Sequence, residues 1–235
     1  MTLPAATHPA PLFAGTPEWV VAEGRLGYPE AIATMEAHIA AMRAGAAAER
    51  VWLVEHDPLY TGGTSATEAG LLDARFPAHR TGRGGQWTYH GPGQRTAYVM
   101  LDLDRPHGRI PARDIRAYVH GLEDWLIGAL DLLGVKGERR EGRVGIWVAD
   151  RARGGEAKIA AIGVRVTRWV TWHGVALNVD PELAHFAGIV PCGVAEHGVT
   201  SLHHQGVIAT MEDADAALMA AWPRVFGSKA GGSAP

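Results

Sequence analysis

The sequence predicts a single α+β domain with a mainly antiparallel or mixed sheet and packed helices. The chain has 235 residues, which is enough to bury one core but short for two domains. Its residues are 47% hydrophobic and 20% charged, as in an ordinary globular domain. Segments with strand patterns cluster between and after the helical segments without strict alternation, which favours α+β over a doubly wound sheet.

Three segments have the pattern of helices. Residues 29–48 place apolar side chains at helical spacing among good helix formers, and residues 115–133 carry the strongest such stripe. Gly134 follows the second segment, at a position where glycine commonly ends a helix. Residues 213–225 are predicted to form a closing helix.

Five short apolar runs are predicted to be strands. They are residues 51–54, 96–103, 145–149, 158–167 and 171–179. The last two are predicted to form a hairpin that turns through Arg168 and Trp169. The folded domain is expected to span residues 18–226. The Pro/Ala-rich residues 1–17 and the Gly/Ser/Ala-rich residues 227–235 are predicted to be disordered tails.

Charge and cysteine content argue against several classes of protein. The formal net charge is −3, whereas nucleic-acid-binding proteins usually carry a basic excess. The chain has one cysteine, so it forms no intramolecular disulfide, which favours a reducing compartment. A lone cysteine also builds no zinc site without several other ligands. The N-terminus lacks signal-peptide features, and no apolar run has the length of a membrane span. We therefore predict a cytoplasmic protein with no metal, no nucleic-acid partner and no membrane partner.

The first candidate functional segment is residues 83–94, RGGQWTYHGPGQ, which combine four glycines with a proline, an arginine and a histidine. Glycine allows positive φ angles and lets the backbone approach a ligand closely, and Gly-Pro-Gly requires a sharp turn. The segment lacks the Gly-Lys-Ser/Thr ending of a phosphate-binding loop. A surface loop whose glycines only turn the chain explains the composition equally well.

Lys158, His173 and Cys192 are further candidates, and each also has a structural explanation. Lys158 heads a strand of small and apolar residues, where burial would disfavour its charged form; at an exposed strand end it would only extend into water. His173 precedes a glycine and several small residues, and a structural role explains it as well. Cys192 lies between Pro191 and Gly193, where a constrained turn would present its thiol as a nucleophile, although free cysteines are usually buried packing residues.

Together these segments resemble the lipoyl (octanoyl) transferase family, which belongs to the biotin/lipoate protein ligase-like superfamily. The matching segments occur in the family's order and cover the chain from about residue 50 to residue 202, and their combination is highly specific. They are residues 55–63 (EHDPLYTGG), 83–94, 158–163 (KIAAIG), 173–179 (HGVALNV), 191–193 (PCG) and 200–202 (TSL). The resemblance implies a domain with the biotin/lipoate protein ligase-like fold.

The resemblance also implies an activity in protein lipoylation. Such enzymes move an octanoyl group from octanoyl-acyl carrier protein to a lysine of a lipoyl domain. The implied acceptors are the lipoyl domains of 2-oxoacid dehydrogenase E2 subunits and the glycine cleavage H protein. Thioester exchange requires no ATP, metal or other cofactor.

The implied catalytic pair is Cys192 and Lys158. Cys192 holds the acyl group as a thioester, and Lys158 lowers the pKa of that cysteine and accepts a proton. The substrate-binding positions that the resemblance implies are Arg83, Gly84, Gly85, Gln86, Trp87, Thr88, Tyr89, His90, Ala161, Ile162, Gly163, Gly174, Val175 and Ala176.

Two residues depart from the family pattern. Trp87 is bulkier than the aliphatic residue expected at its position, and Arg95 stands where an apolar residue is expected. We expect these departures to alter the fit of the acyl chain at the pocket mouth without affecting the catalytic pair.

Three other functions remain open from the sequence. An ATP-dependent lipoate or biotin protein ligase of the same fold would use a strand lysine without a cysteine. A cysteine hydrolase, or thioesterase, would pair Cys192 with His90, His173 or His197 and release a free fatty acid. A non-catalytic module that binds acyl carrier protein would form no covalent adduct.

A cluster of arginines suggests where an acidic partner would bind. The cluster consists of Arg139, Arg140, Arg143, Arg151 and Arg153. Acyl carrier proteins and lipoyl domains are generally acidic, so a basic surface beside the pocket would steer them towards it. A solvated charged loop is the alternative.

Overall fold

The fold is seen in a computed structural model that describes residues 16–150, 154–190 and 198–227, and the backbone of residues 6 and 7. Within these ranges the chain forms three α-helices and twelve β-strands. The helices are α1 (Tyr28–Arg43), α2 (Ile115–Leu132) and α3 (Met211–Ala221). The strands are β1 (Ala6–Thr7), β2 (Glu18–Leu26), β3 (Arg50–His56), β4 (Leu59–Gly62), β5 (Ala78–Arg80), β6 (Trp87–His90), β7 (Gln94–Met100), β8 (Glu138–Arg140), β9 (Arg143–Ala149), β10 (Glu156–Thr167), β11 (Val170–Asn178) and β12 (Gly198–Val199).

Nine of the described strands form one mixed sheet in the order β1-β2-β3-β7-β11-β10-β9-β8, with β12 paired to the start of β10. The β2–β3 and β10–β12 pairs are parallel, and the other neighbours in this sheet are antiparallel. A second sheet has three short strands in the order β5-β4-β6. The predicted α+β class with a mixed, mainly antiparallel sheet is therefore confirmed.

Helices cover both faces of the main sheet because its central strands are apolar on both sides. On β3, Val51 and Leu53 belong to the core that contains α2 and α3, whereas Trp52 and Val54 belong to the core that contains α1. Successive side chains of a strand point to opposite faces, so β3 contributes to both cores. No helix within the described residues is long and apolar enough to span a membrane.

The strongest predicted helix has local signals at both ends. At the start of α2, Asp114 Oδ1 accepts a hydrogen bond from the backbone N–H of Ala117 at 2.8 Å, which satisfies one free donor of the first turn. Gly134 has φ 75° just after the end of α2. The prediction for residues 115–133 is thus confirmed to within one residue.

The other two predicted helices are confirmed with shifted ends. The first, predicted over residues 29–48, ends at Arg43. The last, predicted over residues 213–225, is α3, which begins two residues earlier and gives way to a 3-10 turn at Trp222–Arg224.

All five predicted strands are present, as β3, β7, β9, β10 and β11, with ends shifted by a few residues. The predicted hairpin is confirmed, because Arg168 and Trp169, with φ of 51° and 64°, join β10 to β11. Residues 83–94 are not one continuous loop; they contain β6 and the first residue of β7. The sequence analysis did not predict β1, β2, β8, β12 or the small sheet.

Candidate active site

A cavity of about 270 Å³ opens among residues 83–94, hereafter the glycine-rich segment, and strands β10 and β11. Lys158 lines it, as do all of the predicted substrate-binding residues except Gly84 and Tyr89. The glycine-rich segment therefore meets the β10–β11 hairpin, which lies far from it in the sequence, around one space. The predicted residues that line it are Arg83, Gly85, Gln86, Trp87, Thr88, His90, Ala161, Ile162, Gly163, Gly174, Val175 and Ala176.

The two predicted residues that do not line the cavity have other positions. The N–H of Gly84 donates to the carbonyl of Val164 at 2.8 Å, which fastens the glycine-rich segment to β10. Tyr89 shares a strand with His90 but lies on the opposite side, because adjacent side chains of a strand alternate. Its hydroxyl is 2.8 Å from His185 Nδ1, and its ring packs edge-on against Phe186.

Arg83 holds the glycine-rich segment against β4. Its buried guanidinium donates to the carbonyl of Thr61 at 2.6 Å and to the Thr61 hydroxyl at 2.8 Å. It also donates to the carbonyls of Gly84 and Gln86. Arg83 therefore shapes the cavity wall through the backbone.

Lys158 is buried at the cavity and fixed by two contacts. Its Nζ donates to the carbonyl of Val144 at 2.9 Å and lies 4.8 Å from the centre of the Trp147 ring. A carbonyl oxygen and an aromatic face both attract an ammonium group. These contacts hold Nζ at the wall of the cavity.

A β-bulge in β10 turns Lys158 towards the cavity. Lys158 pairs with Trp147, but Ala160 pairs with Ile146, so Ile159 is an extra residue on β10. Without the bulge, Lys158 and Ala161 would point to opposite faces. With it, Lys158, Ala161 and Gly163 all line the cavity, while Ile159 and Ala160 enter the core with α2.

Two glycines facing each other across β10 and β11 let neighbouring segments pack closely at the cavity wall. Gly163 and Gly174 are register partners. A Cβ atom on Gly163 would lie 2.9 Å from Arg83 Cδ, and one on Gly174 would lie 2.2 Å from the carbonyl oxygen of Ala97. Neither position accepts a side chain without displacing a neighbour.

The cavity histidines are neutral. Burial lowers the pKa of His90 to about 3, helped by the nearby His56 and Arg83. His90 Nδ1 lies 2.7 Å from Gln94 Oε1. Because Gln94 Nε2 donates to Asn178 Oδ1, Gln94 Oε1 is the acceptor and His90 Nδ1 carries the proton.

His173 lies in the cavity wall. Its backbone has φ 60°, and its ring stacks on Trp172 with centroids 5.1 Å apart. Burial, reinforced by Arg83, lowers the pKa of His173 to about 3. A histidine with so low a pKa is a weak proton acceptor at neutral pH.

Several cavity residues were not among the predicted catalytic or substrate-binding positions, although Thr61 lies in the matching segment 55–63 and Arg143 belongs to the predicted arginine cluster. They are Tyr28, Thr61, Ser65, Thr96, Tyr98, Gly142, Arg143 and Val144. Tyr28, at the start of α1, has its pKa raised to about 12 by burial, so it remains a phenol. The Tyr98 hydroxyl is 2.7 Å from His56 Nε2. The sequence around Tyr28 does not indicate a functional site, because a tyrosine at the start of a helix is equally typical of a core residue.

The two departures from the family pattern have different outcomes. Trp87 touches the cavity, but most of its bulk lies in the core of the small sheet, where its indole N–H donates to the carbonyl of Thr67 at 2.7 Å. Arg95 does not line the cavity, so the expectation that it alters the pocket mouth is wrong. Its guanidinium forms a buried ion pair with Asp215 of α3.

Cys192 lies outside the described residues, as do Pro191, Gly193 and His197. The described chain on either side is hydrogen-bonded to neighbouring segments. The N–H of Val190 donates to the carbonyl of Gly70 at 2.9 Å. Six residues after Cys192, β12 begins at Gly198 and pairs with β10 at Ala157 and Lys158.

The described part of the predicted basic surface is balanced by acids. Arg139 pairs with Asp124, Arg140 pairs with Glu138 and Glu156, and Arg143 pairs with Glu156. The described arginines therefore do not form a patch of unopposed charge. Arg151 and Arg153 lie outside the described residues. Among the described residues, no cluster of three or more His, Cys, Asp or Glu side chains is arranged to hold a metal ion.

Sequence comparison assigns this chain to a protein family. The model of the lipoyl protein ligase A/B catalytic domain matches residues 27–222. A relative named octanoyltransferase from Acidiphilium cryptum is 66% identical over 89% of this chain and 92% of its own length. Another octanoyltransferase, from Gluconacetobacter diazotrophicus, is 59% identical over 89% of this chain and 91% of its own length.

The fold is similar to solved lipoate protein ligases. A bipartite lipoate protein ligase from Thermoplasma acidophilum has a TM-score of 0.63 at 16% identity, covering 88% of this chain and 85% of that chain. A lipoate-protein ligase A bound with ATP has a TM-score of 0.62 at 16% identity, covering 87% and 85%. At this identity the likeness shows the fold alone. From the family model and the close relatives, the chain belongs to the lipoyl protein ligase A/B catalytic-domain family. The predicted family and enzyme class, an octanoyltransferase, are confirmed.

Proposed function

We propose that this enzyme transfers an octanoyl group from octanoyl-acyl carrier protein to a lysine of a lipoyl domain, through a thioester on Cys192. The observation that carries the proposal is the position of Lys158. Its Nζ is fixed at the wall of a cavity that the glycine-rich segment and β11 also line. The relatives named octanoyltransferase support the acyl group, and the lipoate ligase fold supports a lipoyl-domain acceptor.

The path of the chain supports Cys192 as the partner of Lys158. Val199 pairs with Lys158, and Cys192 lies seven residues before Val199. The sequence holds no other cysteine that could carry a thioester.

The first half-reaction places the acyl group on the enzyme. The proton of the Cys192 thiol is held on Lys158, and this ammonium stabilises the thiolate. The thiolate attacks the carbonyl carbon of the donor thioester, the carbon–sulfur bond of the donor breaks, and the leaving pantetheine thiolate takes the proton from Lys158. The second half-reaction passes the acyl group on. The amine of the lipoyl-domain lysine attacks the Cys192 thioester, Lys158 accepts the proton of that amine, and the Cys192 thiolate leaves.

The cavity wall suits an acyl chain. Ala161, Ile162, Gly163, Gly174 and Val175 present small or apolar surface. An octanoyl group has seven carbons beyond its carbonyl, and burying them at about 0.8 kcal/mol each stabilises the complex by on the order of 5 kcal/mol. Much shorter chains lose most of that free energy.

The cysteine hydrolase is the weaker alternative. It needs a histidine base beside Cys192, and two of the three candidates, His90 and His173, have a pKa lowered to about 3 by burial. The third, His197, lies outside the described residues. The ATP-dependent ligase is tested directly, because it requires ATP and does not require Cys192.

The test is intact-mass analysis after mixing the enzyme with octanoyl-carrier protein. Wild type should gain one octanoyl group without ATP, mapped to Cys192 and removed by hydroxylamine. Cys192→Ser should lose turnover, because a serine hydroxyl is far less acidic. Lys158→Ala should acylate slowly at neutral pH, and raising the pH should restore acylation more than complete transfer to a lipoyl domain.

The matched control is Lys136→Ala, because Lys136 is a lysine with an 89% exposed side chain outside the cavity lining. It should transfer octanoyl groups like wild type. An acyl group mapped to Lys158, full activity of Cys192→Ser, or an ATP requirement would overturn the proposed mechanism. Release of free octanoate without a lipoyl domain would point to the hydrolase.

A further inference from the structure

Glu123 is a buried acid that the proposed mechanism does not use. It lies on α2, on the side that packs against the main sheet, and its side chain is only 5% exposed. Its neighbours on the helix, Leu122 and Leu126, are core residues. A carboxylate in such a place is costly unless it is paired or hydrogen-bonded, so its partners indicate what it does.

The two oxygens of Glu123 have different partners. Oε2 lies 3.1 Å from Nδ1 of His120, whose side chain is half exposed. Oε1 accepts a hydrogen bond from the backbone N–H of Gly145 on β9, with the two heavy atoms 3.5 Å apart. Glu123 therefore reaches from the helix layer to the strand that lies beside Lys158.

The N–H that Glu123 binds and the carbonyl that binds Lys158 belong to the same peptide group. The Val144 carbonyl accepts the hydrogen bond from Lys158 Nζ at 2.9 Å. In a planar trans peptide the N–H and the C=O point in opposite directions. Fixing the N–H of Gly145 towards α2 therefore fixes the carbonyl of Val144 towards the cavity.

This peptide needs such a support because Gly145 is conformationally free. Gly145 has φ 119°, a region that side chains rarely adopt. A Cβ atom there would lie 2.7 Å from the carbonyl of Ala160 and 3.3 Å from Lys158 Nζ. The position therefore excludes side chains that would restrict the backbone, and rotation of the peptide would remove the carbonyl from Lys158.

We propose that Glu123 is a positioning residue: its carboxylate holds the Val144–Gly145 peptide in the orientation whose carbonyl fixes Lys158. This inference rests on the proposed role of Lys158. Glu123 does not line the cavity, and it acts through one peptide group and one lysine. Its removal should therefore slow the chemical steps and leave acyl-chain binding intact.

The test compares Glu123→Leu with Glu123→Gln in single-turnover acylation by octanoyl-carrier protein. Glu123→Leu removes the acceptor and should slow acylation at saturating donor by about tenfold to a hundredfold, since small misplacements of a catalytic group have effects of that size. The donor concentration at half-maximal rate should not change. Glu123→Gln keeps an acceptor oxygen and should stay near the wild-type rate. His120→Ala, which removes the other partner, should change the rate by no more than about twofold.

Stability and hydrogen exchange separate positioning from a structural role. Glu123→Leu removes the acceptor of a buried N–H and should lower the free energy of unfolding by about 1–3 kcal/mol. The rates are therefore compared at a temperature where urea denaturation shows both variants to be fully folded. Hydrogen exchange at the Gly145 amide should accelerate in Glu123→Leu and remain slow in Glu123→Gln. If Glu123→Leu does not fold, Glu123→Gln still decides: a wild-type rate with fast exchange at Gly145 would overturn the inference.

The outcomes distinguish this inference from the proposed function. Wild type that gains no octanoyl adduct on Cys192 would end the proposed function. Wild type that acylates normally, beside Glu123→Leu acylating at the same rate, would end the role of Glu123 alone.

Discussion

The polar residues of the cavity are held in their uncharged forms by burial. His90 and His173 have a pKa lowered to about 3, and Tyr28 has a pKa raised to about 12. Arg83, Arg143 and Lys158 are the basic residues around this space, and Arg83 donates to three backbone carbonyls and to the Thr61 hydroxyl. The cavity thus combines neutral histidine and tyrosine side chains with three basic groups.

Burial of the histidines should couple stability to pH. Because the folded pKa of His90 and His173 is about 3, the unfolded chain binds more protons than the folded chain below about pH 6.5. The free energy of unfolding should be fully retained above that pH and fall as the pH drops towards 3. The expected slope is up to about 1.4 kcal/mol per pH unit for each histidine. Urea denaturation at several pH values measures it.

His173→Asn is the informative variant for this effect. Asparagine tolerates the φ of 60° at this position and does not titrate. In His173→Asn, the slope of the free energy of unfolding against pH should decrease by the contribution of one histidine. His204→Gln, at an exposed position, is the control and should leave the slope unchanged. An identical slope in His173→Asn and wild type would contradict the burial of a neutral imidazole.

Sequence reasoning found the cavity residues that occur in dense motifs and missed isolated ones. Gly163 and Gly174 lie in runs of small residues that attract notice. Thr61 and Tyr98 join the site only because β4 and β7 lie beside β6 and β11. Glu123 lies on α2, and in the sequence its charge suggests an exposed side chain. Long-range pairing, which local sequence does not encode, brings these residues together.

Among the elements, length and periodicity decided what could be predicted. Helix α2 combines a long apolar stripe with a following glycine, and its prediction was accurate. Strands β4, β5 and β6 have three or four residues each, too few to show alternation. The bulge at Ile159 was also not predictable from the sequence, because it arises from the pairing of β9 and β10.

The β10–β11 hairpin should become more stable with a turn residue suited to its geometry. Arg168 and Trp169 both adopt positive φ, as in a type I′ turn, which favours Asn and Gly. Trp169 packs against the core, so the exposed Arg168 is the position to change. Arg168→Asn should raise the free energy of unfolding by about 0.5–1 kcal/mol. Thermal denaturation would show it.

Arg168→Ala provides the matched comparison. Alanine removes the same charge without favouring positive φ, so it should not stabilise the protein. Equal gains from Asn and Ala would mean that the charge, and not the turn, was responsible.

On the scale of the whole molecule, one buried ion pair joins the central sheet to the helix layer. Arg95 on β7 and Asp215 on α3 are linked by two contacts, Nε to Oδ1 at 2.7 Å and Nη2 to Oδ2 at 3.0 Å. Burial raises the pKa of Asp215 despite the attraction of Arg95. The pair therefore adds a charged link between two layers that are also joined by apolar packing and by the hydrogen bond from Gly145 to Glu123.

Breaking this pair should cost more than removing it. Arg95→Met leaves a buried carboxylate unpaired and should lower the free energy of unfolding by about 3–5 kcal/mol, whereas Arg95→Met with Asp215→Leu should recover most of the loss. Urea denaturation measures both variants. Arg75→Met, which removes a half-exposed partner of Asp73, should cost no more than about 1 kcal/mol. A double variant as unstable as the single variant would show that the layers depend on the charges themselves.

Because Ile159 is an extra residue in β10, deleting a residue here should disturb the protein far more than substituting Ile159. A substitution at Ile159 changes how well one side chain fills the core. Loss of a single codon between Lys158 and Ala160 would instead exchange inside and outside for every residue on one side of the gap, and would carry the lysine away from the acyl chain. The number of residues between Lys158 and Ala161 is therefore as important to the site as the identity of its side chains.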